Sequence, residues 1–478
     1  MPRPESVAGP LRAQLADIDI ERTEIHDQIA GLRSHLEALA EKRKEVTQQL
    51  EKITFPILTI PPEITGYIFS YYAEYMVDEY DEYSPFILTH VCRLWREIAL
   101  SIPKLWAKIN MDGMTSSPSS ELMLRRWFER AGTSSLEVHA PSGFKLGVGR
   151  LFSMLTIYSD QIVSLTCTVP LPQNCPLDGI SGRLSRMTHL SLFVTGQSTP
   201  ITIFSDAPAL RRLELVFGES PGRVDLPWEQ LVEVSICGFN PNILDSIAKM
   251  SRIEALTIPR AEYIRTANTL MMLSHLKTLD CSLVLRSSGS AEFLRSFNCP
   301  HLETFRIDFH KLEATADAVH HFLHHNNSSL RHLKLNNAEI QAALKVFQYT
   351  PMIEQLSITN AKHIEELWYP LTYTPPKILP ALRKLEIHAA YNYMPHDDIA
   401  SLVHIRSRSL DYANMQHVFF DMPSEGRDSM RQMRLAVQTE GGMIDGCQVK
   451  LSGLADPTAE LSLGKIPLYS LADVDDGL

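Results

Sequence analysis

The 478-residue chain is short of several things, and each shortage closes a class of function. Cysteine is sparse: seven residues, an odd number with no C-x-x-C pair, which excludes a disulfide framework and reads as reduced thiols inside a cell, in cytoplasm or nucleus. No run reaches ~18 consecutive apolar residues, and the first twenty residues hold no apolar signal-peptide core, so neither a membrane span nor secretion is expected. Basic residues are outnumbered, 45 against 56 acidic, and the net charge of −11 argues against a nucleic-acid binder that relies on a basic surface. Glycine and proline, 22 and 29, are too few for a collagen-like or linker-dominated chain. The signatures G-x-x-x-x-G-K-[ST], H-E-x-x-H and G-x-S-x-G are all missing, so the chain is expected to be no enzyme and to carry no cofactor.

What is present is globular in composition, 44% hydrophobic and 21% charged, and too long for one ordinary core. Residues 1–54 carry a heptad pattern. Leu11, Leu15, Ile18, Ile25, Ile29, Leu32, Leu36, Leu39, Val46, Leu50 and Ile53 follow alternating steps of four and three once Arg22 and Arg43 fill two positions. A helix over residues 11–53 would run on the order of 65 Å. Gly31 softens its middle by ~1 kcal/mol relative to alanine. Self- or hetero-association through a coiled coil in this segment is one expectation; an amphipathic helix folded back on the chain is the other. Pro56, Pro61 and Pro62 end the pattern.

Residues 55–110 are apolar and aromatic. Ile60-Pro61-Pro62-Glu63-Ile64 opens a helix on which Ile64, Tyr67, Ile68 and Tyr71 recur at helical spacing. An acidic, tyrosine-rich stretch follows. Ser84-Pro85 then predicts a second helix start, with Leu88, Val91, Trp95 and Ile98 on one face. The order I-P-P-E-I, then V-C-R-L-W-R-E-I-A-L-S-I-P-K-L-W, resembles the F-box. The fuller pattern, with RRWFERAG at Arg125 to Gly132, is similar to the F-box proteins abundant in mushroom-forming fungi. The resemblance covers about the first 135 residues. It implies a small all-α unit that docks the Skp adaptor of SCF-type cullin–RING ubiquitin ligases. It assigns adaptor docking to Pro61, Glu63, Ile64, Ile68, Val91, Cys92, Trp95 and Trp106, with a cullin reached through the adaptor. Ile60 replaces the family's usual leucine, and the acidic stretch lengthens the first loop.

Residues 111–135 read as a connecting helix and residues 136–452 as a repeat array. The pattern apolar-x-x-apolar-x-apolar recurs eleven times, centred on Leu165, Leu190, Leu213, Val234, Leu256, Leu279, Phe305, Leu333, Leu356, Leu385 and, more weakly, Val418. The first ten units keep a spacing of 21–29 residues. That period predicts an α/β fold: a leucine-rich-repeat-like β/α solenoid, each unit burying too little alone and stacking on its neighbours. A large non-repeating α/β domain is the alternative. A last helix is expected in DSMRQMRLAVQTEGG, from Asp428, and residues 453–478 read as an acidic tail.

Residues between the apolar anchors face the other way along a strand. Two outward rows follow, and Arg212, Glu214, Asp280, Arg306, His332, Lys334, Lys384 and Glu386 are the candidates for binding a target. Their mixed charge suits a protein or peptide better than a phosphate backbone. His320, His321, His324 and His325 have helical i, i+4 spacing, but no Cys or acidic ligand follows at a recognisable distance. They read as the rim of a repeat helix rather than a metal site. The resulting expectation is a substrate-recognition subunit of an SCF-type ligase, with a scaffold that uses the adaptor outside ubiquitin transfer as the alternative.

Overall fold

The structure, a computed structural model, describes residues 4–51, 56–75, 85–111, 118–140, 154–169, 178–194, 200–218, 223–238, 243–259, 270–283, 293–309, 313–326, 328–337, 339–361, 363–373, 377–389, 396–421, 443–444 and 447–452. Most of the acidic tyrosine-rich stretch, Ser84, the helix expected from Asp428 and the acidic tail lie outside these residues. The chain divides into two compact units, Met1–Tyr71 with Phe86–Ala99, and Tyr72–Pro85 with Leu100–Leu478.

The helices of the first unit are α1 (Pro4–Glu51), α2 (Pro62–Tyr75), α3 (Pro85–Val91) and α4 (Arg93–Ser101). α2 and α3 each begin on proline, whose missing N–H costs nothing in a first turn. The Pro61 carbonyl accepts from the N–H groups of Ile64 and Thr65, at 3.0 and 3.1 Å, and so closes the first turn of α2. The sequence spacing puts Val91 and Trp95 on one continuous helix face. The structure instead breaks the helix at Cys92, and the break is satisfied locally. Cys92 Sγ accepts the Trp95 N–H at 3.4 Å, and Arg96 Nε donates to the Thr89 carbonyl at 2.7 Å, occupying an acceptor near the end of α3. Val91 is turned outward while Leu88 and Ile98 are buried.

The second unit is a parallel sheet laid down in chain order. Its strands are β1 (Lys108–Asn110), β2 (Leu136–Ala140), β3 (Ile162–Val169), β4 (His189–Val194), β5 (Arg212–Phe217), β6 (Glu233–Cys237) and β7 (Ala255–Ile258). After them come β9 (Thr278–Leu283), β11 (Thr304–Phe309), β12 (His332–Asn336), β13 (Gln355–Ala361), β14 (Lys384–Ala389), β15 (His417–Asp421) and β17 (Cys447–Ser452). These fourteen are parallel, and β16 (Met443–Ile444) closes the edge antiparallel to β17. Two-residue strands β8 (Met271–Met272) and β10 (Phe297–Asn298) form a separate small pair.

All eleven spaced units of the sequence fall on strands, and their middle anchors align across the sheet from Leu165 through Leu279 to Val418. Three further parallel strands have no such unit. In β2, Leu136 pairs with the first anchor Ile162 but stands only two residues before Val138, because the register shifts between Leu136 and Glu137; β17 is described only from Cys447, and β1 is only three residues long.

A recurring turn precedes many of the strands. The N–H of the first anchor donates to the carbonyl three residues back in Leu184–Met187, Ala207–Leu210, Leu273–Leu276, Cys299–Leu302, Thr350–Ile353 and Leu379–Leu382. Pro208, Pro300, Pro351 and Pro380 stand second in four of these turns, where a φ fixed near −65° is what the turn needs. The anchors beyond the turns are buried, so each strand adds one apolar layer to a shared core. Gly238 is required by close approach: its φ is +93°, and a Cβ there would run into the Phe217 carbonyl oxygen.

The return segments differ along the sheet. From β3 to β7 they include short 3₁₀ turns and α6 (Ile243–Ile247). From β11 onward they are helices: α7 (Glu313–Asn326), α8 (Ile340–Phe347), α9 (Glu365–Tyr373) and α10 (His396–Arg408). Within α10, Arg406 is fully buried and donates to the carbonyls of Leu371, Ile378 and Leu379 at 3.1, 2.8 and 2.9 Å. Its guanidinium lies 4.5 Å from the Tyr412 ring centroid. Burial draws it down to about 10, which leaves it charged at neutral pH.

Candidate functional site

Two surfaces carry the candidate residues. The first is helical. On α2, Ile64, Tyr67, Ile68 and Tyr71 share a face and are all exposed; on α3, Ile87 and Val91 are exposed four residues apart. Ile64 is 52% and Val91 57% exposed, unusual for residues that bury readily. Of the other residues that the sequence singles out here, Pro61 and Glu63 are exposed and Cys92 is half-buried. Trp95 is half-buried and meets Phe69 edge-on, with ring centroids 4.9 Å apart. Phe69 is buried beneath the exposed face, so Trp95 braces α2 from inside.

Trp106 belongs to the second unit and is fully buried there. It packs edge-on against Trp127 at 5.7 Å, under the Arg130 guanidinium at 4.4 Å. Both partners come from α5 (Pro118–Ala131), the helix of the RRWFERAG segment, which ends on Gly132 at φ +58°.

The second surface is the outward face of the sheet. Parallel pairing aligns Glu214, Ser235, Thr257, Asp280, Arg306, Lys334, Ser357 and Glu386 in one row. Arg212, Glu233, Ala255, Thr278, Thr304, His332, Gln355 and Lys384 form the next. The eight candidate residues therefore occur in two separated groups. Arg212 and Glu214 lie on β5, where Arg212 pairs with Glu233 at 2.9 Å. The others run from β9 to β14. Arg306 reaches Asp280 at 3.3 Å, His332 Nδ1 shares a hydrogen bond with Thr304 Oγ1 at 3.2 Å, and Lys384 and Glu386 are exposed. Burial pushes the Asp280 carboxyl up from its ordinary value, against the opposing pull of Arg306 and then Lys334.

Sequence reasoning missed two features of this face. One is a polar cluster beside the rows: Asp308 accepts from Asn336 at 3.2 Å and from Asn337 at 2.7 Å, and the Thr359 hydroxyl donates to Asn336 Oδ1 at 2.7 Å. Asn337, at φ +53°, allows that convergence. The other is a ladder of alternating charge at the strand starts, Glu254, Lys277, Glu303, Arg331, Glu354 and Arg383. Lys277 reaches Glu254 at 2.8 Å and Arg331 reaches Glu354 at 3.5 Å. Its signal was legible as the residue just after each first anchor.

The four histidines lie on α7. His320 packs against Tyr349 at 4.0 Å, the His321 and His325 rings are 4.8 Å apart, and His325 Nδ1 bonds the His321 carbonyl at 2.9 Å. Among the described residues no group of three or more His, Cys, Asp or Glu is placed to hold a metal ion, and no helix is long and apolar enough to cross a membrane. Burial pushes the thiols of Cys299 and Cys447 up to about 12 and about 11, which removes them as nucleophiles at neutral pH. No family model matches the chain, and no curated protein matches it.

Proposed function

We propose that this chain is a substrate receptor of an SCF-type ubiquitin ligase, with an F-box in residues 55–110 and a leucine-rich-repeat-like solenoid behind it. The observation that carries the reading is the exposed apolar face of α2 and α3. Ile64, Tyr67, Ile68, Tyr71, Ile87 and Val91 stand in water where a partner surface would cover them, and they lie within the segment whose motif order resembles the F-box. Docking the Skp adaptor on this face, with Trp95 bracing it from below, accounts for exposure that a free-standing helix pair does not require.

The outward rows of the sheet are the proposed target surface. Their separated charges, acidic and basic residues alternating within hydrogen-bond reach, match a folded protein or peptide of mixed charge and not a polyanion. The chain performs no bond-making step itself. It raises the effective concentration of a target lysine near a ubiquitin carrier held by the cullin, and the catalysis lies on other subunits.

The test is retention of the Skp adaptor by the full chain, wild type against Pro61→Ala combined with Trp95→Ala, with both proteins shown folded by circular dichroism. Loss of retention in the variant supports the reading, and equal retention removes the docking assignment. Adaptor that co-purifies without any cullin would sink the ligase role while leaving the docking intact.

A further inference from the structure

The longest helix is also the least covered. α1 spans 48 residues, and each large apolar side chain of its heptad seam from Leu11 to Leu50 is exposed, Leu32 and Leu36 by about two thirds (64% and 66%). A continuous apolar stripe of that length in water marks an association surface. The geometry points to a second copy of this chain as its occupant, aligned antiparallel, so that two α1 helices form a coiled coil over nearly their whole length. The inference is independent of the adaptor reading, because it uses no residue beyond α1.

The orientation follows from where the two arginines fall. Assigning Leu15, Ile29, Leu36 and Leu50 to a positions puts Arg22 and Arg43 at a as well, with Leu11, Ile18, Ile25, Leu32, Leu39 and Val46 at d. In a parallel pair a residues meet their own copies. Arg22 would face Arg22 and Arg43 would face Arg43, stacking four like charges in two layers otherwise stripped of water. In an antiparallel pair an a residue meets a d residue. Arg22 then faces Leu39 and Arg43 faces Ile18, where an arginine can lay its methylene stem on an apolar side chain and send its charge out to solvent.

One antiparallel register uses the whole seam. It sets Leu11 against Leu50, Leu15 against Val46, Ile25 against Leu36 and Ile29 against Leu32, each twice by symmetry. Sliding one copy by a heptad in either direction leaves apolar layers at one end facing no seam residue. The flanking g positions agree with this choice. In the full-seam register Glu21 of one copy stands beside Lys42 of the other, again twice, and Gln14 and Gln28 stand beside Gln49 and His35. In the parallel arrangement Lys42 faces Thr47 and Glu21 faces His26, so the Glu–Lys complementarity is lost. Gly31 lies outside the seam, and nothing lies within 4 Å of where its Cβ would be.

The test uses the full chain in light scattering after gel filtration, read over a dilution series. The wild type is expected at twice the chain mass. Ile25→Glu with Leu32→Glu should give a monomer with an unchanged melting profile for the rest of the chain, since both side chains are exposed within one copy. Orientation is read by charge exchange. Glu21→Lys and Lys42→Glu should each raise the dimer dissociation constant on the order of tenfold, and the double exchange should restore it. A monomeric wild type overturns the proposal, as does a dimer that survives the seam variant. A dimer in which Lys42→Glu has no effect, or in which the double exchange fails to rescue, overturns the antiparallel register.

Discussion

The two units place similar kinds of apolar side chain in opposite surroundings. In the second unit the leucines, isoleucines and valines at anchor spacing are buried strand after strand, and what faces water is a mixed polar lattice. In the first, the seam of α1 and the outer faces of α2 and α3 leave comparable side chains exposed. A parallel sheet that grows by one layer per strand supplies its own partner at every step, and needs help only at its edges. A lone helix has no neighbour to supply the other half of its core, and its stability depends on packing that amphipathic face. The difference teaches that similar apolar side chains hold the fold together in the sheet, whereas in the helices, on the functions proposed above, they await a partner.

The predictions probe that contrast. Removing a central anchor, Leu279→Ala or Leu333→Ala, should destabilise the second unit by about 3 kcal/mol in chemical denaturation, because the cavity lies in a layered core that cannot collapse. The matching truncation in the first unit, Ile64→Ala, should change stability by less than ~0.5 kcal/mol, since that side chain has little cover to lose. Equal costs would erase the distinction. Arg406→Met comes next, at about 2–4 kcal/mol. It removes the Arg406 donor from the carbonyls of Leu371, Ile378 and Leu379, of which Leu379 keeps the Leu382 N–H, and hydrogen exchange should rise around 371–379 before elsewhere.

Smaller effects belong to the sheet's outward face. The Asp280 carboxyl is raised in the folded chain, so its contribution to stability is present in acid, below the unfolded value of about 3.9, and is lost as pH rises through the higher folded value. Asp280→Asn should therefore raise stability at neutral pH, with the gain vanishing in acid; a loss at neutral pH would mean that the Arg306 pairing outweighs the burial. Lys277→Glu should have the smallest effect, a lowered melting temperature that disappears in about 1 M salt, because the ladder it interrupts is solvent-exposed.

Much of the sheet was legible because an anchor must recur wherever a strand stacks, from Leu165 to Val418. What escaped shows the limit of that signal. In β2 a register shift brings Leu136 opposite the anchor Ile162 only two residues before Val138, so the spacing breaks although the backbone continues the sheet. The bend at Cys92 was illegible for a different reason. Helical spacing runs straight through it, and the side-chain interactions that stabilise the break, Cys92 to Trp95 and Arg96 to Thr89, carry no periodic trace. The candidate surfaces were half legible: the row residues follow from alternation, whereas the convergence of Asp308, Asn336 and Thr359 depends on which strands become neighbours.

The central claim is that the exposed face of α2 and α3 is a docking surface and not an incidental one. Titration calorimetry of the full chain with purified Skp adaptor, wild type against Ile64→Asp combined with Val91→Asp, tests it most directly. The account predicts binding by the wild type, a loss of at least about tenfold in the variant and unchanged melting of the sheet. A wild type that does not bind, or a folded variant that binds as well as the wild type, would contradict it.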